Sequence, residues 1–254
     1  MLSLLSLALL LIGGGLAQTS RCQWANLRSL ADLYTESQSS GDVSDLPLLP
    51  GFTYVQNSKS ITINESLLTT KLRIAHSHSL IDQDGCSTFT KLLVTSSSAP
   101  YIIGAQVFYA QPRSGGPLGI KHVSSAVSAL SPTSNVTSLL NYTQKENWSS
   151  LPRDSQDSHQ TLKRVLDAWL DGETVAWDDA SGCKGLLGGY YVEGAGACAR
   201  EVGGDEVVGR SYVVDESVGG VSVIGSVGSN ATGVWGGRVV KGKLTYVHEV
   251  IASV

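Results

Sequence analysis

The chain has 254 residues, a net charge of −4 and a charged fraction of only 16%, with 28 glycines. It contains no basic cluster, which argues against nucleic acid and anionic membrane surfaces as partners. Abundant glycine and low charge are typical of a β-rich secreted protein with many turns.

The N-terminus predicts entry into the secretory pathway. An apolar run from Leu2 to Ile12 precedes small residues that end at Ala17, a pattern typical of a signal peptide over residues 1–17. The run is too short to span a bilayer, which needs about 20 residues. We therefore expect a secreted or luminal protein without a membrane span.

Three segments recur in the same order, which indicates a duplicated domain. The matched pairs are 27–36 with 162–171, 79–82 with 212–215, and 120–127 with 244–251. Their offsets lie between 124 and 135 residues. We predict a first α+β repeat over residues 18–130, a glycosylated linker over residues 131–153 and a second repeat over residues 154–254.

Within each repeat, the hydrophobic pattern predicts one helix followed by antiparallel strands. The first helix is expected over residues 22–38 and the second around residues 162–169, with Asp154 or Ser155 as its N-cap. Residues 172–209 are rich in glycine and predict an irregular loop. The expected strands are 73–81, 87–95, 101–109, 120–127, 211–214, 221–227, 234–240 and 244–251.

The fold class predicted from this order is α+β. A helix laid into a strongly curved antiparallel sheet forms a cone-shaped barrel, so we expect two tandem cone-shaped halves. Such a barrel often encloses an apolar pocket between helix and sheet, which is the default place for a small-molecule site.

The cysteines and glycosylation sequons fit a secretory route. Four cysteines allow three pairings, and two in each repeat favour Cys22–Cys86 and Cys183–Cys198. A zinc site is the competing interpretation, but no C-x₂-C or H-x₃-H spacing occurs. The five sequons place candidate glycans on Asn64, Asn135, Asn141, Asn147 and Asn230.

A set of short motifs covers nearly the whole mature chain. They are Phe52-Thr-Tyr54, Ile74-Ala-His76-Ser-His-Ser-Leu-Ile-Asp82, Tyr101-Ile-Ile-Gly104, Trp148, Pro152-Arg-Asp-Ser-Gln156, Tyr212-Val-Val-Asp215 and Tyr246-Val-His248. Their order resembles a family of secreted fungal proteins that look like tandem SnoaL-like domains, similar to nuclear transport factors. The resemblance implies two cone-shaped α+β barrel halves.

The same resemblance implies an activity. The best-understood members are hetero-Diels–Alderases of tropolone–sesquiterpenoid pathways, which join humulene to an ortho-quinone methide made from a polyketide. The implied partners are small apolar terpenoid and polyketide substrates, with no metal and no redox cofactor.

Four positions of this chain match the family's motifs. His76 and Asp82 match a histidine and an aspartate of the first half, and Asp215 and His248 match their counterparts in the second. The first half departs from the family where it carries Ser124 and His78, since the family tends to have aspartate and arginine there.

A quinone-methide cycloaddition needs an acid that assists loss of water and a donor that holds the resulting carbonyl oxygen. His76 and His248 are the candidate catalytic residues, because imidazole can act as acid or base near neutral pH. The alternative for each is a hydrogen-bonded structural histidine. Candidates for holding the substrate are Arg73, Tyr54, Tyr109 and Tyr246. Asp82 and Asp215 are expected to fix turns.

Two other functions remain open from the sequence. One is a non-catalytic carrier of small apolar ligands, and the other is a SnoaL-like isomerase or hydratase. No Gly-x-Ser-x-Gly motif occurs, which argues against esterase chemistry. The oligomeric state stays open, with a homodimer as one alternative.

Overall fold

The structure, a computed structural model, describes residues 22–95, 100–113, 115–130, 134–178, 182–194, 196–199, 206–228 and 231–253. The predicted signal peptide at residues 1–17 and the sequon at Asn230 lie outside these ranges. Within them, no helix is long and apolar enough to cross a membrane.

The first half consists of one long helix and a six-stranded sheet. Its elements are α1 (Trp24–Ser40), β1 (Leu48–Gln56), β2 (Lys59–Ile61), β3 (Ile74–Asp82), β4 (Ser87–Val94), β5 (Tyr101–Ala110) and β6 (Gly119–Ala129). Strands β3 to β6 form an antiparallel meander. Strand β1 then pairs in parallel with β6 and antiparallel with β2.

The second half repeats this topology after a connecting helix, α2 (Val136–Thr143). Its elements are α3 (His159–Leu170), β7 (Cys183–Leu187), β8 (Tyr190–Gly194), β9 (Val207–Asp215), β10 (Gly220–Val227), β11 (Ala231–Val240) and β12 (Lys243–Ser253). The sheet orders β2-β1-β6-β5-β4-β3 and β8-β7-β12-β11-β10-β9 are equivalent. The β-rich α+β fold in two halves is therefore confirmed. The described strands form two open sheets, since each order begins and ends at an edge.

Each long helix covers one face of its sheet. Leu27, Ala31 and Tyr34 of α1 are spaced three or four residues apart and are fully buried against the first sheet. Leu162 and Leu166 of α3 are buried in the same way against the second. The helical stripes read from the sequence therefore face the cores.

Both predicted disulfides are confirmed. Cys22–Cys86 joins the segment just before α1 to the turn between β3 and β4, with the two Cα atoms 5.3 Å apart. Cys183–Cys198 joins the start of β7 to the segment after β8, with a Cα separation of 5.9 Å. All four cysteines are thus paired, which is consistent with a secreted protein.

Two predictions about connecting segments are wrong. Residues 172–209, expected as an irregular loop, contain the hairpin β7–β8, because its short glycine-containing strands hide the two-residue period. The segment predicted as a linker includes α2, for which no helix was expected from the sequence. The N-cap of α3 is Ser158, whose hydroxyl accepts from the Thr161 amide, whereas Asp154 and Ser155 lie in a preceding 3₁₀ turn.

The two sheets pack against each other through the faces that the helices leave free. The buried apolar residues in this layer include Leu80, Phe89, Leu93, Ile102, Leu186, Val213, Ile224, Val234 and Val250. Lys91 pairs with Gly104 on the neighbouring strand of the first sheet, and the equivalent pair in the second sheet is Ile224 with Val234. A Cβ placed on Gly104 would lie only 2.9 Å from Val234 Cγ1. Because these equivalent positions touch, a pseudo-two-fold axis passes between them.

Two buried aspartates exchange hydrogen bonds across this axis. Asp82 Oδ2 accepts from the Val214 amide at 3.0 Å, and Asp215 Oδ2 accepts from the Ile81 amide at 2.9 Å. The second oxygen of Asp82 accepts from Gly85 in the following turn. Both aspartates therefore fix turns, as predicted, and also join the two halves.

Replacing Asp82 with Ala should lower the free energy of unfolding by about 2–4 kcal/mol, since the amides of Gly85 and Val214 lose their acceptor. Chemical denaturation measures this change. Asp84→Ala, in the exposed part of the same turn, is the matched control and should change stability by less than about 0.5 kcal/mol. Equal effects of the two substitutions would contradict the assignment.

Candidate functional site

The layer between the sheets contains ionisable side chains from both halves. His76 and His78 belong to β3, Lys91 to β4 and His248 to β12. Glu146 follows α2 and reaches the same place, because it contacts His248. The charges of Lys91, Glu146 and His248 all act on His76. The two predicted catalytic histidines, far apart in the sequence, are therefore brought into one cluster.

Lys91, His248 and Glu146 form a continuous hydrogen-bonded chain. Lys91 Nζ lies 2.7 Å from His248 Nδ1, and His248 Nε2 lies 2.7 Å from Glu146 Oε1. Lysine can only donate, so Nδ1 accepts and Nε2 carries the proton that is donated to the carboxylate. Lys91 and His248 are almost fully buried, as is the side chain of Glu146.

Burial and neighbouring charges set the charge states of this chain. Burial lowers the pKa of Lys91 to about 8, against the pull of Glu146. It also lowers the pKa of His248. Burial alone would raise the pKa of Glu146, but interactions with His248 and Lys91 and hydrogen bonds from His248 and Trp148 lower it to about 2. At neutral pH a neutral imidazole therefore links a cationic Lys91 to an anionic Glu146.

Trp148 covers the cluster. Its ring centroid lies 4.2 Å from that of His78, 5.8 Å from Tyr246 and 5.9 Å from His248. Its Nε1 donates to Glu146 Oε2 at 3.0 Å. The indole thus closes one end of the sheet-to-sheet layer.

Burial lowers the pKa of the two histidines on β3. For His76 the positive charge of Lys91 adds to burial and Glu146 opposes them. For His78 burial again comes first, followed by Lys91 and His248, and the pKa falls well below its ordinary value. His78 Nε2 is buried without a hydrogen-bond partner among the described residues. In the same ranges, no three His, Cys, Asp or Glu side chains are placed to hold a metal ion.

The predicted substrate-binding residues do not form one group. Tyr246 borders the cluster, where its hydroxyl accepts from the Asn147 amide at 3.1 Å. Tyr54 and Tyr109 lie instead in the core between α1 and the first sheet. The Tyr54 hydroxyl contacts Ser125, the Tyr109 hydroxyl contacts Thr88, and burial raises the pKa of both phenols. Arg73 precedes β3 and is exposed.

A cavity of about 730 Å³ lies at the other end of the layer. Its apolar lining includes Val55 and Phe108 from the first sheet and Ile224 from the second. Its hydroxyl lining consists of Thr53, Ser58, Ser124, Ser211, Ser226 and Thr232. Ser58 and Thr232 also bond to each other across the two halves. The cavity therefore combines apolar walls with hydroxyl groups from both sheets.

Lys121 and His122 supply the ionisable groups of the cavity lining. His122 Nδ1 lies 2.7 Å from Thr53 Oγ1, and the His122 ring packs 5.8 Å from Phe108. Burial lowers the pKa of His122, which its contact with Thr53 opposes. His122 is therefore an imidazole held in place on the cavity wall.

Reasoning from the sequence missed Lys91, Glu146 and Trp148 as parts of a site, and His122 as part of the cavity. One signal for Lys91 was available, since it interrupts the apolar strand Phe89–Val94. A lysine in a buried strand is rare unless it is paired. Nothing local in the sequence indicated that Glu146 reaches β12, because that contact spans 102 residues.

Replacing His78 with Phe should flatten the pH dependence of stability below pH 6.5. The unfolded histidine binds a proton as the pH falls through about 6.5, whereas the folded His78, with its lowered pKa, does not. Stability is therefore present above pH 6.5 and lost below it, at up to about 1.4 kcal/mol per pH unit for this group. Phenylalanine keeps an aromatic ring in contact with Trp148 and removes the titration. Denaturation at pH 7, 6 and 5 measures the slope, and an unchanged slope would show that His78 protonates in the folded state.

Comparison with known proteins supports no functional assignment. Residues 155–251, which run from just before α3 into β12, match a family model described as a domain of unknown function, DUF8021. No curated protein matches the chain.

Proposed function

We propose that this protein binds a small molecule of mixed polarity in the cavity between its two sheets. The cavity itself carries the proposal, because its volume of about 730 Å³ is that of sites for drug-sized ligands. Apolar walls bury the body of such a ligand. The hydroxyl groups from both sheets orient its polar edge.

The charge of the cavity lining restricts the class of ligand further. Lys121 and His122 are the ionisable groups among the described residues of the wall, and no carboxylate accompanies them. An oxygen that carries or develops negative charge is therefore favoured over a cation.

The second candidate function is the reaction that the family resemblance implies. We propose that the cavity binds a quinone methide together with humulene and promotes a cofactor-independent hetero-Diels–Alder cycloaddition between them. His122, which lies 2.7 Å from Thr53 on the cavity wall, supports this because the reaction needs an acid beside the bound substrates. Lys121, which also lines the cavity, would stabilise the developing oxygen charge.

Two finer features of the protein are part of the same proposal. Each half would be a SnoaL-like cone, which is supported by one helix covering one face of a six-stranded sheet in both halves. The protein would act after secretion, in keeping with its two disulfides.

Filling the cavity should abolish ligand binding. The probe is 8-anilinonaphthalene-1-sulfonate, an aromatic anion whose fluorescence reports burial. Ser124→Trp places an indole in the cavity and should weaken probe binding at least tenfold relative to the wild type. Ser77→Trp, at an exposed serine on β3 outside the cavity, is the matched control and should bind like the wild type. Equal binding by all three proteins would overturn the proposed site.

Mixing humulene with a quinone-methide precursor tests the reaction. The wild type should raise the yield of adduct above the spontaneous background, and His122→Ala should lower kcat by about 10²-fold through loss of the acid. His76→Ala and His248→Ala test the catalytic roles predicted from the sequence. Loss of turnover in these two variants, with His122→Ala unaffected, would move the chemistry to the covered cluster. A wild-type yield equal to background leaves the carrier function.

A further inference from the structure

The cavity and the covered cluster occupy equivalent places about the pseudo-two-fold axis. The register His78↔Lys91 in the first sheet corresponds to Ser211↔Ile224 in the second. Ser211 and Ile224 line the cavity, whereas His78 and Lys91 belong to the cluster. One end of the layer is therefore open and its counterpart is filled.

The opposite walls of the two places correspond as well. Phe108↔His122 at the cavity matches Arg238↔Tyr246 at the cluster. Two residues further along β6 and β12 than His122 and Tyr246, Ser124 lines the cavity and His248 belongs to the cluster. Their partners Gln106 and Gly236 occupy the same register. Both walls of the cavity thus have counterparts around the cluster.

Trp148 is the group that fills the second place. Its ring contacts that of His78 with the centroids 4.2 Å apart, and its ring nitrogen donates to Glu146 at 3.0 Å. The surrounding segment is fastened at separate points, since Arg238 donates to the Ser149 carbonyl at 3.0 Å and the Leu151 amide donates to the Ser217 carbonyl at 2.7 Å. The backbone is therefore held without the indole.

The contacts of Trp148 are those of a bound ligand. A planar ring packs at a tilt against one aromatic side chain, is flanked by two others, and is oriented by a single charge-assisted hydrogen bond. The fit is incomplete, because the buried Nε2 of His78 finds no hydrogen-bond partner among the described residues. A buried polar atom beside the ring points to a place that can take a more polar occupant.

We propose that the covered cluster is a second binding site, equivalent to the open cavity, which takes planar aromatic molecules with a ring N–H and is occupied by the chain's own Trp148. The assignment depends on the pseudo-symmetry and on the contacts of Trp148. It does not depend on which molecule the open cavity binds.

Indole supplied to the variant Trp148→Ala tests the proposal. Ser124→Trp is added to this variant so that the open cavity cannot account for binding. Indole should raise the melting temperature of this double variant in a saturable way, with one molecule bound. 1-Methylindole should bind about tenfold more weakly, because it cannot donate to Glu146.

The matched control is Trp148→Leu, also with Ser124→Trp. Leucine occupies part of the space without offering a ring N–H, so indole should leave its melting temperature unchanged. If Trp148→Ala does not fold alone, refolding in the presence of indole should restore the native protein, as judged by near-ultraviolet circular dichroism. The proposal is overturned if indole gives neither stabilisation nor recovery, or if it stabilises the alanine and leucine variants equally.

Discussion

Each sheet has two faces to bury, and its own helix can cover only one of them. The other face of each sheet is covered by the sheet of the other half, so the apolar layer that contains Leu80, Phe89, Val213 and Val250 exists only when both halves are present. Burial of this apolar surface stabilises the fold by about 25 cal/mol per Å². Each half therefore depends on the other half to bury the second face of its sheet.

The two halves share a backbone topology, but the side chains at equivalent positions differ. The reciprocal hydrogen bonds of Asp82 and Asp215 keep the two halves in register. At equivalent positions of the two halves, the cavity has Ser124 where the cluster has His248, and it has Ile224 where the cluster has Lys91. At the lysine end the buried charge is compensated by Glu146, which the connecting segment brings in together with Trp148. Compensation of this kind is what a buried lysine requires. Ile224 carries no charge that must be compensated, and the cavity that it lines stays open.

Local patterns were sufficient for much of the fold. The two long helices, most strands and both disulfides follow from helical spacing, alternation and the division of four cysteines between two repeats. The hairpin β7–β8 escaped because Gly185 approaches Val247 closely enough that a Cβ would clash, so close packing replaced the alternating pattern. The site was harder to predict, since it is assembled from strands of both sheets and one connecting segment. Which face of β12 carries His248 inward became clear only from the packing of the sheets.

Histidine-selective ¹⁵N NMR across pH 5 to 8, with and without 8-anilinonaphthalene-1-sulfonate, tests the central claim most directly. That claim is that two equivalent places between the sheets are in opposite states, one open and one closed by Trp148. It predicts that the signal of His122 shifts when the probe binds, whereas the signals of His78 and His248 do not respond to the probe. Both of these histidines should titrate below the ordinary pKa of histidine, because burial lowers their pKa. Protonation of His248 near pH 6.5, or equal shifts of all three histidines on binding, would contradict it.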